Sequence, residues 1–189
     1  MIGFNLLKKS FLKKYNPSFS LEIAAEKAIA AATQHNLTYS KAIGPKERLA
    51  IRCHWANQLQ VIGERFRYPI NLDSYETMIL EFKIHMNRRF HLEFDSGSKH
   101  GSEMRISHSQ KSISVYVKHL WCLGVIEEPN ICPVDRVILS QTEAKELNDI
   151  SWGFVNSIEV HRQKFKYITN AASAQRLSVA QWELNSFNP

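Results

Sequence analysis

Apolar residues recur at intervals of three and four along most of the chain, the spacing that gathers them on one face of an α-helix. Residues 4–15 set Phe4, Leu7, Phe11 and Tyr15 in that register, with Lys8, Lys9, Lys13 and Lys14 on other faces and Asn16-Pro17 as the stop. Ser20 stands where an N-cap belongs, before Leu21, Ala24, Ala25, Ala28 and Ala32. These predict an alanine-rich helix to about residue 35, packed closely on a neighbour. Pro45 suits the first position of a helix reaching about residue 61. Asp73 or Ser74 is the expected cap of a fourth helix, whose stripe is Tyr75, Met78, Ile79, Phe82, Met86 and Phe90.

The polar stretch FDSGSKHGSEM, residues 94–104, interrupts this pattern and predicts a loop. Beyond it, Ser107 is the expected cap of a helix over about 108–123, with Ile113, Tyr116, Val117, Leu120 and Leu123 in register and Gly124 as the stop. An irregular connection through Pro129 and Pro133 leads to Asp135, placed to cap a helix with Val137, Ile138 and Leu139 turned inward. A helix over about 142–168, broken near Ser151-Trp152-Gly153, and a last one over about 178–187 complete the chain. No segment alternates with the period of a strand, so the expected class is all-α. The expected architecture is a single two-lobed helical domain, with an N-terminal lobe over 18–93 and a second over 105–189.

Composition narrows the class without naming a function. With 44% hydrophobic and 22% charged residues, the chain is unlike a disordered segment. A net charge of +6 favours polyanionic partners. No apolar window approaches the length of about 18 residues that a membrane helix needs, and lysines interrupt MIGFNLLKKSFLKKYNP, so neither a span nor a secretion signal is expected. Cys53, Cys122 and Cys132 lack CxxC spacing, which points to reduced thiols and, with the rest, to a cytoplasmic protein.

Candidate chemistry centres on residues 105–139. Lys111 lies near the start of an otherwise apolar helix, where burial and the positive dipole end both disfavour an ammonium; a neutral amine there is a nucleophile toward an aldehydic sugar carbon. The plainer alternative is a lysine whose stem covers apolar surface while its head reaches water. Asp135, set by Cys-Pro-Val, is placed either to stabilise positive charge developing on a sugar or simply to cap a helix. His108, three residues before Lys111, shares its helical face and is a candidate assisting group. Arg88 and Arg89 off the fourth helix's stripe, with Lys99 and Arg105 around the polar loop, are the candidate phosphate contacts. The histidines show no i, i+4 metal spacing, so no metal and no cofactor is expected. Trp55, Phe66, Tyr68, Trp121 and Trp152 are the aromatics available to stack on an extruded base.

The segment QKSISVYVKHLW followed by CPVDRVIL resembles the core of the helix-hairpin-helix DNA glycosylase superfamily. In members with lyase activity, the catalytic lysine begins the hairpin's second helix and a Pro-Val-Asp segment supplies the catalytic aspartate. The resemblance covers about 35 of 189 residues. It implies a helical glycosylase fold, DNA as partner, Lys111 as nucleophile and Asp135 as its electrostatic partner. Two departures are visible: MRISHS replaces the family's glycine-bearing hairpin, and 24 positions separate Lys111 from Asp135, implying an inserted turn at GVIEEPNI. The alternative expectation is a non-catalytic helical nucleic-acid-binding protein that uses Lys8–Lys14, Arg88, Arg89 and Arg162–Lys166 on phosphate.

Overall fold

Cap chemistry sets most of the helix boundaries. A computed structural model describes residues 2–34, 38–90, 92–95 and 103–187. Its helices, in chain order, are α1 (Ile2–Tyr15), α2 (Leu21–Thr33), α3 (Pro45–Arg65), α4 (Leu72–Phe90), α5 (Ile106–Leu123), α6 (Arg136–Leu139), α7 (Ile158–Ala174) and α8 (Val179–Phe187). The chain is all-helical among the described residues, apart from one antiparallel bridge between Tyr39 and Phe94. No helix there is long and apolar enough to cross a membrane.

Asn16 is buried between α1 and α2, receiving the Ser20 amide at 3.0 Å and donating to the Ser20 carbonyl at 2.8 Å. Ser20 Oγ in turn accepts the Ile23 amide, the expected N-cap. Asn71, rather than Asp73 or Ser74, caps α4 by accepting the Ser74 amide at 2.8 Å, because the helix begins at Leu72, three residues before the apolar stripe. Gly124 ends α5 at φ 76, ψ 18, and the Val125 amide reaches back to the Leu120 carbonyl at 2.9 Å, a Schellman closure that a left-handed residue permits.

The fold is built around α5, which packs against α1, α2, α3, α4 and α7. The alanine face of α2 (Ala24, Ala25, Ala28 and Ala32, all buried) faces this helix, since small side chains let two backbones approach. Gly63 does the same for α3: a Cβ there would meet Tyr116 Cε1 at 2.8 Å and Leu120 Cδ1 at 2.9 Å. Almost every α5 side chain is consequently buried, the polar ones included. Buried hydroxyls need partners, and each serine of α5 has one. Ser107 donates to the Gly153 carbonyl at 2.8 Å, Ser109 to Arg105, Ser114 to Gln110, and Ser112 accepts from Trp55 Nε1 at 3.1 Å.

Two apolar clusters form. One gathers α1–α5 with Ala180 and Leu184; the other joins Cys132, Val134, Ile138 and Leu139 to Phe165, Ile168, Ala172 and Trp182. The helix placed by sequence in the second lobe thus lies at the centre of the first cluster.

Three local expectations are corrected. Ser107 lies inside α5, which starts one residue earlier than its own position, after Arg105. Val137 is 51% exposed, whereas Ile138 and Leu139 are fully buried. No helix spans 142–157: the Thr142 hydroxyl bonds the Leu139 carbonyl, Asn148 turns left-handed at φ 55, and the Lys164 ammonium holds the Asp149 carbonyl at 2.8 Å. The seventh helix starts only where Ser157 caps the Val160 amide.

Candidate active site

Lys111 and Asp135 meet. The first projects from the second turn of α5, the second caps α6, and the Lys111 ammonium pairs directly with Asp135 Oδ2. Both residues are 7% exposed. The other carboxylate oxygen, Oδ1, accepts the Ile138 amide at 2.9 Å, so one aspartate is both helix cap and ion-pair partner. Burial alone raises a carboxyl's pKa and is the largest single influence on Asp135. Against it act the Lys111 charge and hydrogen bond, the Ile138 amide and the Lys118 charge, and together they hold Asp135 below the ordinary aspartate range.

Gln110 fixes this geometry. Its Nε2 donates to the Val134 carbonyl at 2.7 Å and its Oε1 accepts the Val134 amide at 3.2 Å, so one side-chain amide clamps both backbone groups of the residue before Asp135. The residue before Lys111 on α5 therefore holds the residue before Asp135. On the other side, the 153–156 segment is tied to the first turn of α5: the Ser107 amide donates to the Val155 carbonyl at 2.9 Å and the Ile106 amide to Asn156 Oδ1 at 3.2 Å. That anchorage sets the half-buried Trp152 ring 5.8 Å from the Lys111 nitrogen.

The same bonds occupy the α5 amides that a phosphate would otherwise use. The departure at MRISHS has a structural counterpart: the amides of 105–107 are turned to His108, Asn156 and Val155.

Other candidates fall elsewhere. His108 is buried and bonded elsewhere: its Nδ1 lies 3.3 Å from the Arg105 amide nitrogen, and its Nε2 lies 3.1 Å from Thr38 Oγ1 and 3.2 Å from the Arg105 guanidinium. Burial, then the Arg105 charge, pushes its pKa down to about 3, so it stays neutral and holds no phosphate. Arg105 is itself fully buried, its guanidinium 5.0 Å from the Phe154 ring and close to the charges of Asp95 and Glu103, so it is a core cation and not a nucleic-acid contact. Arg88 and Arg89 are exposed at the end of α4. Lys99 lies outside the described residues. Trp55 and Trp121 are core, and Tyr68 is exposed, lining with Phe66 a surface cavity of about 160 Å³ closed by Glu127–Asn130. That cavity does not include Lys111 or Asp135. Burial raises the pKa of Cys122 to about 12 and that of Cys132 well above the thiol range, so neither is a thiolate nucleophile.

Among the described residues no cluster of three or more metal-ligating side chains occurs. Comparison with protein-family models, curated proteins and solved structures finds no match.

Sequence reasoning missed two parts of this region: the Gln110 clamp, and a second buried pair on the same helix. Lys118 Nζ donates to Glu183 Oε1 of α8 at 2.9 Å, with the two side chains 6% and 3% exposed. The signal for the second was present in the seven-residue interval between Lys111 and Lys118, which returns to the same helical face.

Proposed function

We propose that this protein is a DNA glycosylase-like enzyme with lyase capacity. Lys111 is the amine that attacks C1′ of an extruded nucleoside; the base leaves with the glycosidic electron pair, and a Schiff base to the opened sugar follows. Asp135 stays ionised and opposes the positive charge that develops on the sugar during departure. The observation that carries this reading is the direct contact between Lys111 and Asp135, brought from 24 positions apart onto one spot by the Gln110 clamp and the Asp135 cap.

The pair is closed in the resting protein, so substrate entry requires the 150–157 turn to carry Trp152 away from Lys111. DNA enters beside α4 in this reading, where Arg88 and Arg89 contact phosphate.

Incubation with duplex DNA carrying an abasic site tests the proposal. Wild type nicks the strand, and Lys111→Gln binds with unchanged affinity but leaves it intact; retention of nicking by that variant removes Lys111 from the chemistry.

A second reading draws on one specific observation, the burial of the pair, which suits a structural ion pair as well. In that reading the protein is a non-catalytic nucleic-acid-binding module using Arg88, Arg89 and the exposed Lys9, Lys13 and Lys14. It predicts salt-sensitive DNA binding with no nicking by wild type.

A further inference from the structure

Away from Lys111, two histidines join α3 to α4 at the surface. His54 Nε2 of α3 and His85 Nε2 of α4 lie 2.8 Å apart. Their ring planes agree within 7° and their centroids are 5.1 Å apart, which exceeds the nitrogen separation by about one ring's width. The rings therefore meet edge to edge, nitrogen to nitrogen, rather than face to face. One hydrogen fits between two nitrogens at that distance: one ring donates it and the other accepts with its lone pair. The contact survives a first added proton, because an imidazolium still donates to a neutral ring. A second proton sets two N–H groups and two positive charges against each other, and the contact must open.

The surroundings of the pair are cationic. Arg88 and Arg89 stand three and four positions beyond His85, on the same face of α4, and both are exposed. Among the described residues neither has an ion-pair partner. The Phe90 ring meets the His54 ring edge-on at 5.3 Å and lies 5.5 Å from the Arg89 guanidinium. The carboxylates of the two helices act elsewhere: Glu47 on the Gly44 amide, Glu64 on Arg67, Glu81 on Arg65, and Asp73 and Glu76 on Arg162. The arginines of α3 nearest His54, Arg48 and Arg52, act on Tyr39. Burial, then the His85 and Arg89 charges, lowers the pKa of His54 from its ordinary value, so the pair resists a second proton unless a negative charge offsets it.

We propose that the His54–His85 pair makes this face of α4 a proton-linked phosphate surface: a nucleic-acid backbone laid on Arg88 and Arg89 draws a second proton onto the pair and opens it. This rests on the reading of Arg88 and Arg89 as phosphate contacts. The proton comes from solvent, no bond between heavy atoms changes, and the two imidazolium groups add their charge to that of the arginines. Linkage is reciprocal: if bound phosphate raises the proton affinity of the pair, protons raise the affinity for nucleic acid by the same factor. In the free protein the same proton opposes the fold. A group whose folded value is lowered contributes stability that is present above its unfolded value of about 6.5 and is lost as pH falls through the folded value. The contact thus fastens α3 to α4 at neutral pH and yields to acid or to phosphate.

Two measurements decide the proposal, and neither depends on strand nicking. In the first, fluorescence anisotropy follows binding of a labelled DNA duplex at fixed salt, from about pH 8 to about pH 5.5, by wild type and by the His54→Gln/His85→Gln double variant. Uptake of one proton tightens binding by up to about tenfold per pH unit, so wild type should gain up to about that factor over the variant for each unit below about pH 6.5. Parallel pH profiles for the two proteins overturn the proposal. The second measurement follows the ring nitrogens of His54 and His85 by 15N NMR, without and with the duplex. Without it, His54 should titrate below an ordinary histidine in wild type and closer to one in His85→Gln; with it, the wild-type midpoint should rise. A His54 midpoint indifferent to His85 or to the duplex overturns the proposal. Should no duplex bind at any pH, Arg88 and Arg89 are not phosphate contacts and the proposal falls with that reading; the titration of the free protein separates that failure from the absence of a shared proton.

Discussion

Replacing Gln110 with leucine keeps roughly the side-chain volume and removes both hydrogen bonds to Val134. In the protein, Gln110 is 2% exposed and Val134 is equally buried, so water cannot take over. A buried backbone donor or acceptor left without a partner costs about 1–3 kcal/mol. Two such groups, the Val134 amide and carbonyl bonded at 3.2 and 2.7 Å, bring the expected loss to about 4 kcal/mol. Against a typical domain stability of about 5–15 kcal/mol this is large but survivable. Urea unfolding of the two proteins, with a check that the slope is unchanged, measures it. Hydrogen exchange adds a local reading: the Val134 amide loses protection well beyond the global change. Gln110→Glu serves as the control that retains an acceptor and removes the donor. A Gln110→Leu protein within about 0.5 kcal/mol of wild type, the range of ordinary surface substitutions, refutes the clamp.

Further outcomes follow from the same geometry. Asp135→Asn retains a side-chain oxygen to cap Ile138 but strands the Lys111 charge, for an expected loss of about 3–5 kcal/mol in urea unfolding at neutral pH. Because the folded carboxyl titrates below its unfolded value of about 4, its contribution is present above that pH and is lost as pH falls through the folded value. The gap between wild type and Asp135→Asn should thus narrow below about pH 4 and stay constant above it. Gly63→Ala pushes a methyl into Tyr116 and Leu120 and should destabilise by about 1–3 kcal/mol, read as a lowered melting temperature. Glu183→Leu alone, which leaves Lys118 charged between two rings, should lose more stability than the double change with Lys118→Met, since a lone buried charge is worse than none.

Much of the helical frame was legible because it follows local rules. The α1 stripe with its Asn16-Pro17 stop, the Ser20 cap, Pro45 at the start of α3 and Gly124 at the end of α5 are all set by residues within a turn of the feature they control. Asp135 was legible as a cap for the same reason, whereas its closeness to Lys111 was left open by the sequence and is set by the fold. The region after α6 was not. TEAKELND is built of good helix formers, yet tertiary bonds from Lys164 to Asp149 and a left-handed Asn148 divert it into turns. Arg105 and His108 were misread because a polar residue before a helix is usually solvated, whereas here α5 enters the interior and takes its first turn with it. Gln110 carries no sequence signature, since its partner is a backbone 24 positions away. Glu183 lies 65 positions from Lys118, and only folding brings them together.

If Lys111, held by Asp135, is the nucleophile proposed above, it forms a covalent adduct with an opened sugar. The most direct test is mass-spectrometric location of the adduct formed when wild type and abasic-site duplex are reduced with borohydride. The expected result is a single modified peptide carrying Lys111, absent in Lys111→Gln and reduced in Asp135→Asn. An adduct confined to exposed lysines such as Lys9 or Lys13, or no adduct under conditions where the duplex is bound, contradicts it.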